Sequence, residues 1–139
     1  MGEPGEDEIR ELLKSAKTIA VVGCSTNPVK DAHRVPKKLI ELGYRVIPVN
    51  PSAEEILGER CYPSLLDIPG DVKVDIVNVF RPPGEVPEIV EQAIKIGAKA
   101  IWLQLGITHD EAARRAREAG LMVVQNRCIK VEHLRLLGE

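Results

Sequence analysis

From Thr18 onward the chain alternates between short, wholly apolar runs and longer stretches in which apolar residues recur every three or four positions. The first pattern predicts buried strands and the second predicts amphipathic helices. Strands are expected over 17–22, 44–49, 74–80, 99–103 and 121–124. Helices are expected over about 6–15, 35–42, 85–96, 109–119 and 130–137, and residues 1–5 read as a frayed tail. Ile9, Leu12 and Leu13 share one face of the first helix, and Val86, Ile89, Val90, Ala93 and Ile94 form a single stripe on the third. Three joints, ELGYRVIPV, KIGAKAIWL and EAGLMVV, repeat one grammar. In each, a glycine (Gly43, Gly97, Gly120) stands where the chain leaves a helix in the left-handed conformation that side chains disfavour. Pro36 and Pro87 are expected in first turns, where a missing N–H costs little. Thr108 with Glu111 reads as a capping box.

Strands that are apolar on both faces and alternate with helices predict a parallel sheet covered on both sides. Right-handed crossovers then give a Rossmann-like, doubly wound α/β fold. The expected order of the five main strands is 2-1-3-4-5, with a short extra edge strand near Glu59–Tyr62 beside the second. Sheet growth reverses between the strand ending at Val22 and the strand ending at Phe80. Ligands in such sheets bind at the carboxyl ends around this switch point.

The 139 residues fit one domain, and 44% hydrophobic content is enough for a sizeable core. The formal net charge of −2 gives no argument for nucleic acid or an anionic membrane. Four aromatic residues, Tyr44, Tyr62, Phe80 and Trp102, are too few and too scattered for a base-stacking surface. Three cysteines, with no CxxC and no metal-ligand spacing, point to a reducing compartment rather than a disulfide framework. With no signal-peptide pattern and no run of membrane-span length, a soluble cytoplasmic protein is expected.

Charge becomes informative locally. Gly23 opens a polar loop, Gly23-Cys24-Ser25-Thr26-Asn27-Pro28, at the end of the first strand. Ser25, Thr26 and Asn27 offer hydroxyl and amide groups, and the loop's N–H groups can cradle phosphate oxygens. Lys30, His33, Arg34, Lys37 and Lys38 follow against a single Asp31. That excess favours an anionic ligand, with Arg34 the best phosphate fork; the bland alternative is a solvated basic turn. The dinucleotide fingerprint G-x-G-x-x-G is missing, and strand two ends in the neutral Val49-Asn50-Pro51 where NAD binders place an acid. This argues against NAD and leaves NADP open. No Walker A loop exists in the chain.

The series VVGCSTNP, VIPVNP, ILGERCYPSL, DIVNVFRPPGEVPEIVEQAIKIGAKAIWLQLGI and VVQNRCIKVEH resembles the small stand-alone coenzyme A-binding proteins. These are similar in turn to the N-terminal domain of the succinyl-CoA synthetase alpha subunit. The resemblance implies that Gly23, Ser25, Thr26, Asn27 and Pro28 take coenzyme A phosphates and that Asn50 and Pro51 border the adenosine. The synthetase lysine after that proline is replaced by Ser52 and Ala53, which leaves Arg34 as the candidate for phosphate neutralisation. The resemblance also places Phe80, Arg81, Pro82 and Pro83 at a turn beside the ligand, and Leu103, Gln104, Leu105 and Gly106 along the pantetheine arm. The alternative for Phe80 is plain core packing, and for Arg81 a surface ion pair. Trp102 reads as core.

The phosphohistidine domain of the synthetases would begin where this chain ends, so no ligase activity and no catalytic residue are expected. His33, His109 and His133 lack an evident nucleophile or carboxylate partner, apart from Asp31 near His33. No metal constellation stands out. Cys128, after the last strand and beside Arg127, is the candidate for a mixed disulfide with coenzyme A, with Cys24 a second. The leading expectation is a non-catalytic, regulatory or carrier module that binds coenzyme A or an acyl-CoA. The competing readings are an NADP-dependent oxidoreductase or redox sensor, and an interaction domain with a vestigial cleft. A homo-oligomer is compatible with all three.

Overall fold

Residues 2–138 are described by a computed structural model. Helix α1 (Glu6–Ser15) leads into β1 (Thr18–Val22), α2 (Asp31–Glu41) and β2 (Arg45–Val49). A hairpin of β3 (Glu55–Ile56) and β4 (Glu59–Arg60) follows, then β5 (Ile76–Val79), α3 (Val86–Lys95), β6 (Ala100–Leu103), α4 (Asp110–Glu118), β7 (Met122–Val124) and α5 (Ile129–Leu137). The main sheet runs β2-β1-β5-β6-β7 with every pairing parallel. This is the Rossmann-like order expected from the sequence.

Alternation along each strand builds two cores. Ala20, Ile47, Val77, Val79 and Ile101 face α3 and α4, which supply Val86, Val90, Ala93 and Ala116. Ile19, Val21, Val46, Ile76 and Trp102 face the opposite way, toward Ile9, Leu13, Leu39 and Ile129 of α1, α2 and α5. Each fully buried branched side chain stabilises the fold by roughly 1.5–3 kcal/mol relative to exposure. Trp102 is fully buried, and its indole N–H donates to the Arg127 carbonyl at 2.8 Å. At the amino edge of the sheet, Asp75 accepts from the N–H groups of Lys17 (2.8 Å) and Thr18 (3.0 Å) and meets Lys99 Nζ at 3.4 Å.

Four local expectations change. Helix α2 begins at Asp31 rather than Val35, so Pro36 lies inside it and not in its first turn. Helix α4 is capped by His109, whose Nδ1 accepts from Ala112 N at 3.1 Å, in place of the Thr108 capping box. Glu59 and Arg60 pair antiparallel with β3, and Tyr62 alone forms a parallel bridge to Val49 at the end of β2. The expected tail is tied down at Glu3, which meets Arg117 at 3.2 Å and Gln125 N at 3.4 Å; Met1 lies outside the described residues.

Candidate functional site

At the carboxyl end of β1 the chain turns at Gly23, whose φ of +88° suits glycine. A Cβ there would stand 2.8 Å from Arg81 Cδ and 2.9 Å from the Phe80 carbonyl oxygen. No side chain fits, because the loop after β1 crosses directly over the end of β5. Gly23 N–H donates to Val49 O at 2.9 Å, and Asn50 Nδ2 donates to Cys24 O at 2.9 Å. Asn50 Oδ1 in turn accepts from Ser52 N at 2.7 Å. The Asn50 side chain thereby ties the β1 and β2 loops together at the switch point.

The rest of the loop is held by its own polar groups. Ser25 N–H donates to Ala32 O (3.0 Å), Asn27 N–H to Ser25 Oγ (3.0 Å) and Val29 N–H to Asn27 Oδ1 (3.0 Å). His33 Nδ1 donates to Ser25 O at 2.7 Å, so His33 braces the loop. Asp31 is engaged by Arg34, at 2.7 Å. Among the described residues, the N–H groups of Cys24, Thr26, Asp31 and Ala32 are left without a protein acceptor. The last two are the first donors of α2, where the helix dipole places partial positive charge.

Cys24, Thr26 and Ala32 border a cleft of about 720 Å³. Gly23, Cys24, Ser25, Thr26, Lys30 and Ala32 form one wall. Asn50, Pro51, Ser52, Pro63 and Ser64 form another, and Phe80, Arg81, Glu85, Glu88, Ile89 and Gln92 a third. Arg81 clasps Glu85 with two hydrogen bonds of 3.0 and 2.7 Å. These bonds hold the Glu85 carboxyl below its usual range. Lys30 and Arg81 thus face Glu85 and Glu88, and the cleft is polarised without a large net charge. Burial pushes the Cys24 thiol up to about 12 and, with Cys61 beside it, disfavours a thiolate. A second hollow of about 860 Å³ adjoins the first across Pro51, Ser52 and Pro63. In it the Arg60 guanidinium lies 5.2 Å from the centre of the Tyr62 ring.

Of the residues singled out from sequence, Gly23, Ser25, Thr26, Asn50, Pro51, Phe80 and Arg81 line this one cleft. Asn27 and Pro28 sit at the exposed loop tip, and Pro82 is exposed beyond Arg81. Arg34 points outward, 60% exposed and paired with Asp31, so it does not reach the cleft wall. Gln104 is buried, and its amide oxygen accepts from Asn78 Nδ2 at 3.0 Å and Ile129 N at 2.9 Å. Leu105 is exposed, and Cys128 is half-buried at the start of α5. The acidic wall of Glu85 and Glu88 was not foreseen. Its signal lay in the i, i+3, i+7 spacing of Glu85, Glu88 and Gln92, which puts all three on one side of α3. Among the described residues no group of His, Cys, Asp and Glu is arranged to hold a metal, and no helix is long and apolar enough to cross a membrane.

Fold and cleft together define a Rossmann-like protein with an open cleft at the switch point. The family profile described as CoA binding domain matches residues 17–134, and the chain belongs to that family. The uncharacterized protein YneT of Bacillus subtilis is 41% identical over 133 residues, covering 96% of this chain and 97% of YneT. A solved structure of a hypothetical protein from Pyrococcus horikoshii superposes with a TM-score of 0.92 at 49% identity, covering 99% of this chain and 100% of the other. ADP-forming acetate–CoA ligase II of Archaeoglobus fulgidus is 38% identical over 106 residues. That match takes in 74% of this chain but 15% of the ligase.

Proposed function

We propose that this protein binds coenzyme A or an acyl-CoA in the cleft between the β1, β2 and β5 loops, as a carrier or regulatory module without chemistry of its own. The observation that carries the reading is the set of open N–H groups on the cleft-lining Cys24, Thr26 and Ala32, beside Lys30 and next to the open N–H of Asp31. Such a set favours phosphate oxygens. The cleft volume of about 720 Å³ lies within the roughly 300–1,000 Å³ usual for small-molecule sites. Family membership supplies the ligand class. In this reading the β1 loop takes the phosphates, Pro51 and Ser52 border the nucleoside, and Phe80 and Ile89 give apolar contact. Arg81 adds charge once released from Glu85. Gln104 belongs to the packing of the neighbouring edge. Three free cysteines support a reducing, cytoplasmic setting.

A thermal-shift panel of coenzyme A, acetyl-CoA, NAD, NADP and ATP tests this. A ligand at a hundredfold excess over its dissociation constant stabilises by roughly 2.7 kcal/mol. Coenzyme A and acetyl-CoA are expected to shift the transition, and the other three to shift it much less. A shift with NADP and none with coenzyme A overturns the proposal in favour of an oxidoreductase. No shift with any of the five favours an interaction domain.

A further inference from the structure

Pro36 is the sixth residue of the 11-residue helix α2 and is buried there. A proline inside a helix has no N–H for the carbonyl four residues earlier, and its ring pushes that carbonyl away from the axis. It is among the least tolerated residues at such a position. The carbonyl concerned belongs to Ala32, and it is not left unpaired: Ser25 N–H donates to it at 3.0 Å. Ser25's own carbonyl accepts from His33 Nδ1 at 2.7 Å. The helix therefore grips one residue of the glycine loop through both its backbone groups.

We infer that Pro36 is a positioning residue for the cleft. By withholding an N–H from Ala32 and tilting that carbonyl outward, it directs the acceptor to Ser25. That fixes the loop shape in which Cys24 and Thr26 N–H stay open beside those of Asp31 and Ala32. Any other residue at this position would supply a competing donor and draw the Ala32 carbonyl back along the helix. The inference rests on the reading that the cleft takes phosphates, and explains why an otherwise unfavourable residue sits mid-helix.

The test compares the full chain with Pro36→Val, which supplies the N–H while keeping most of the buried volume, and with Pro36→Ala as a second variant. Three quantities are measured: coenzyme A affinity by calorimetry, melting temperature, and hydrogen exchange of individual amides by NMR without ligand. The expected result is a melting temperature equal to or above the parent's. Ser25 N–H should exchange at least about tenfold faster, with protection at Val21 and Ile76 unchanged. Coenzyme A affinity should fall about three- to tenfold, the worth of a disturbed hydrogen-bond set. Unchanged Ser25 protection, or unchanged affinity in a parent that binds, overturns the inference while leaving the proposed function standing. Faster exchange at Val21 and Ile76 as well would mean general loosening and also overturns it. A parent that binds no coenzyme A defeats the proposed function instead, and Ser25 exchange then still decides whether Pro36 fixes the loop.

Discussion

The carboxyl edge of the sheet has two halves that treat their polar groups in opposite ways. Over β6 and β7 the side chains close the edge from within. Gln104 Oε1 takes the first N–H of α5, and Asn126 Oδ1 takes Gly106 N at 2.7 Å. Gln125 Oε1 takes His109 N at 2.8 Å, and His109 caps α4. Over β2, β1 and β5 the side chains hold the loops to one another but leave main-chain donors facing a cleft. The starts of α4 and α5 each have one N–H taken by a side chain, Ala112 N by His109 and Ile129 N by Gln104, whereas α2 has no side-chain cap. Open N–H groups beside a cleft need solvent or a ligand to meet them.

The sharpest way to break this contrast is Gly23→Ala. The added Cβ meets the Phe80 carbonyl, and the positive φ adds strain. A loss of about 2–3 kcal/mol in denaturant unfolding is expected, together with loss of the coenzyme A thermal shift. On the closed half, Gln104→Leu leaves Ile129 N–H without its acceptor and Asn78 Nδ2 with only its longer bond to Trp102 O at 3.4 Å, at a cost of about 2 kcal/mol. Its coenzyme A affinity should stay within about twofold, and a larger loss would erase the distinction between the halves. Glu85→Gln frees Arg81 from its exposed partner and should tighten coenzyme A binding by about two- to fivefold in calorimetry. Weaker binding would instead make the acidic wall part of the recognition.

A control lies at the opposite, amino edge. Burial works to raise the Asp75 carboxyl, but hydrogen bonds from Lys17 and Thr18 N–H and the nearby Lys99 outweigh it and lower its pKa. A lowered carboxyl stabilises the fold at pH values above its unfolded value, and that contribution fades as pH falls through the folded one. Denaturant unfolding between pH 6 and about 3 should therefore show stability falling toward acid, with a shallower fall for Asp75→Ala. Coenzyme A affinity at neutral pH should be the least changed of all these measurements.

Strand order and the glycine-ended helices were legible because each depends on residues close in sequence: doubly apolar runs, and a left-handed position at Gly43, Gly97 or Gly120. Of the basic cluster read after the glycine loop, Lys30 alone lines the cleft, because the direction in which His33, Arg34, Lys37 and Lys38 leave α2 depends on where that helix starts. What escaped depends on contacts that the local pattern does not show. The early start of α2 was hidden because Pro36 signals a first turn unless Ser25 is known to take up its stranded carbonyl. The His109 cap was hidden behind a T-x-x-E pattern, since histidine is not a usual capping residue. The buried hydrogen bonds of Gln104 could not be read either, because nothing local reveals that Asn78, 26 residues earlier, donates to it.

The bridge between Val49 and Tyr62 has a consequence for how copies of this chain can meet. Strand β2 lies at the sheet's edge, where an exposed ladder would invite another molecule's strand. Pro48 contributes no donor there, its carbonyl is taken by Tyr62 N–H at 3.1 Å, and Tyr62 O receives Asn50 N–H at 2.9 Å. The segment that walls the cleft thus also works as a guard rail. Sheet-to-sheet joining at this end of β2 would require Tyr62 to let go first, so self-association through that border is coupled to dismantling a wall of the cleft.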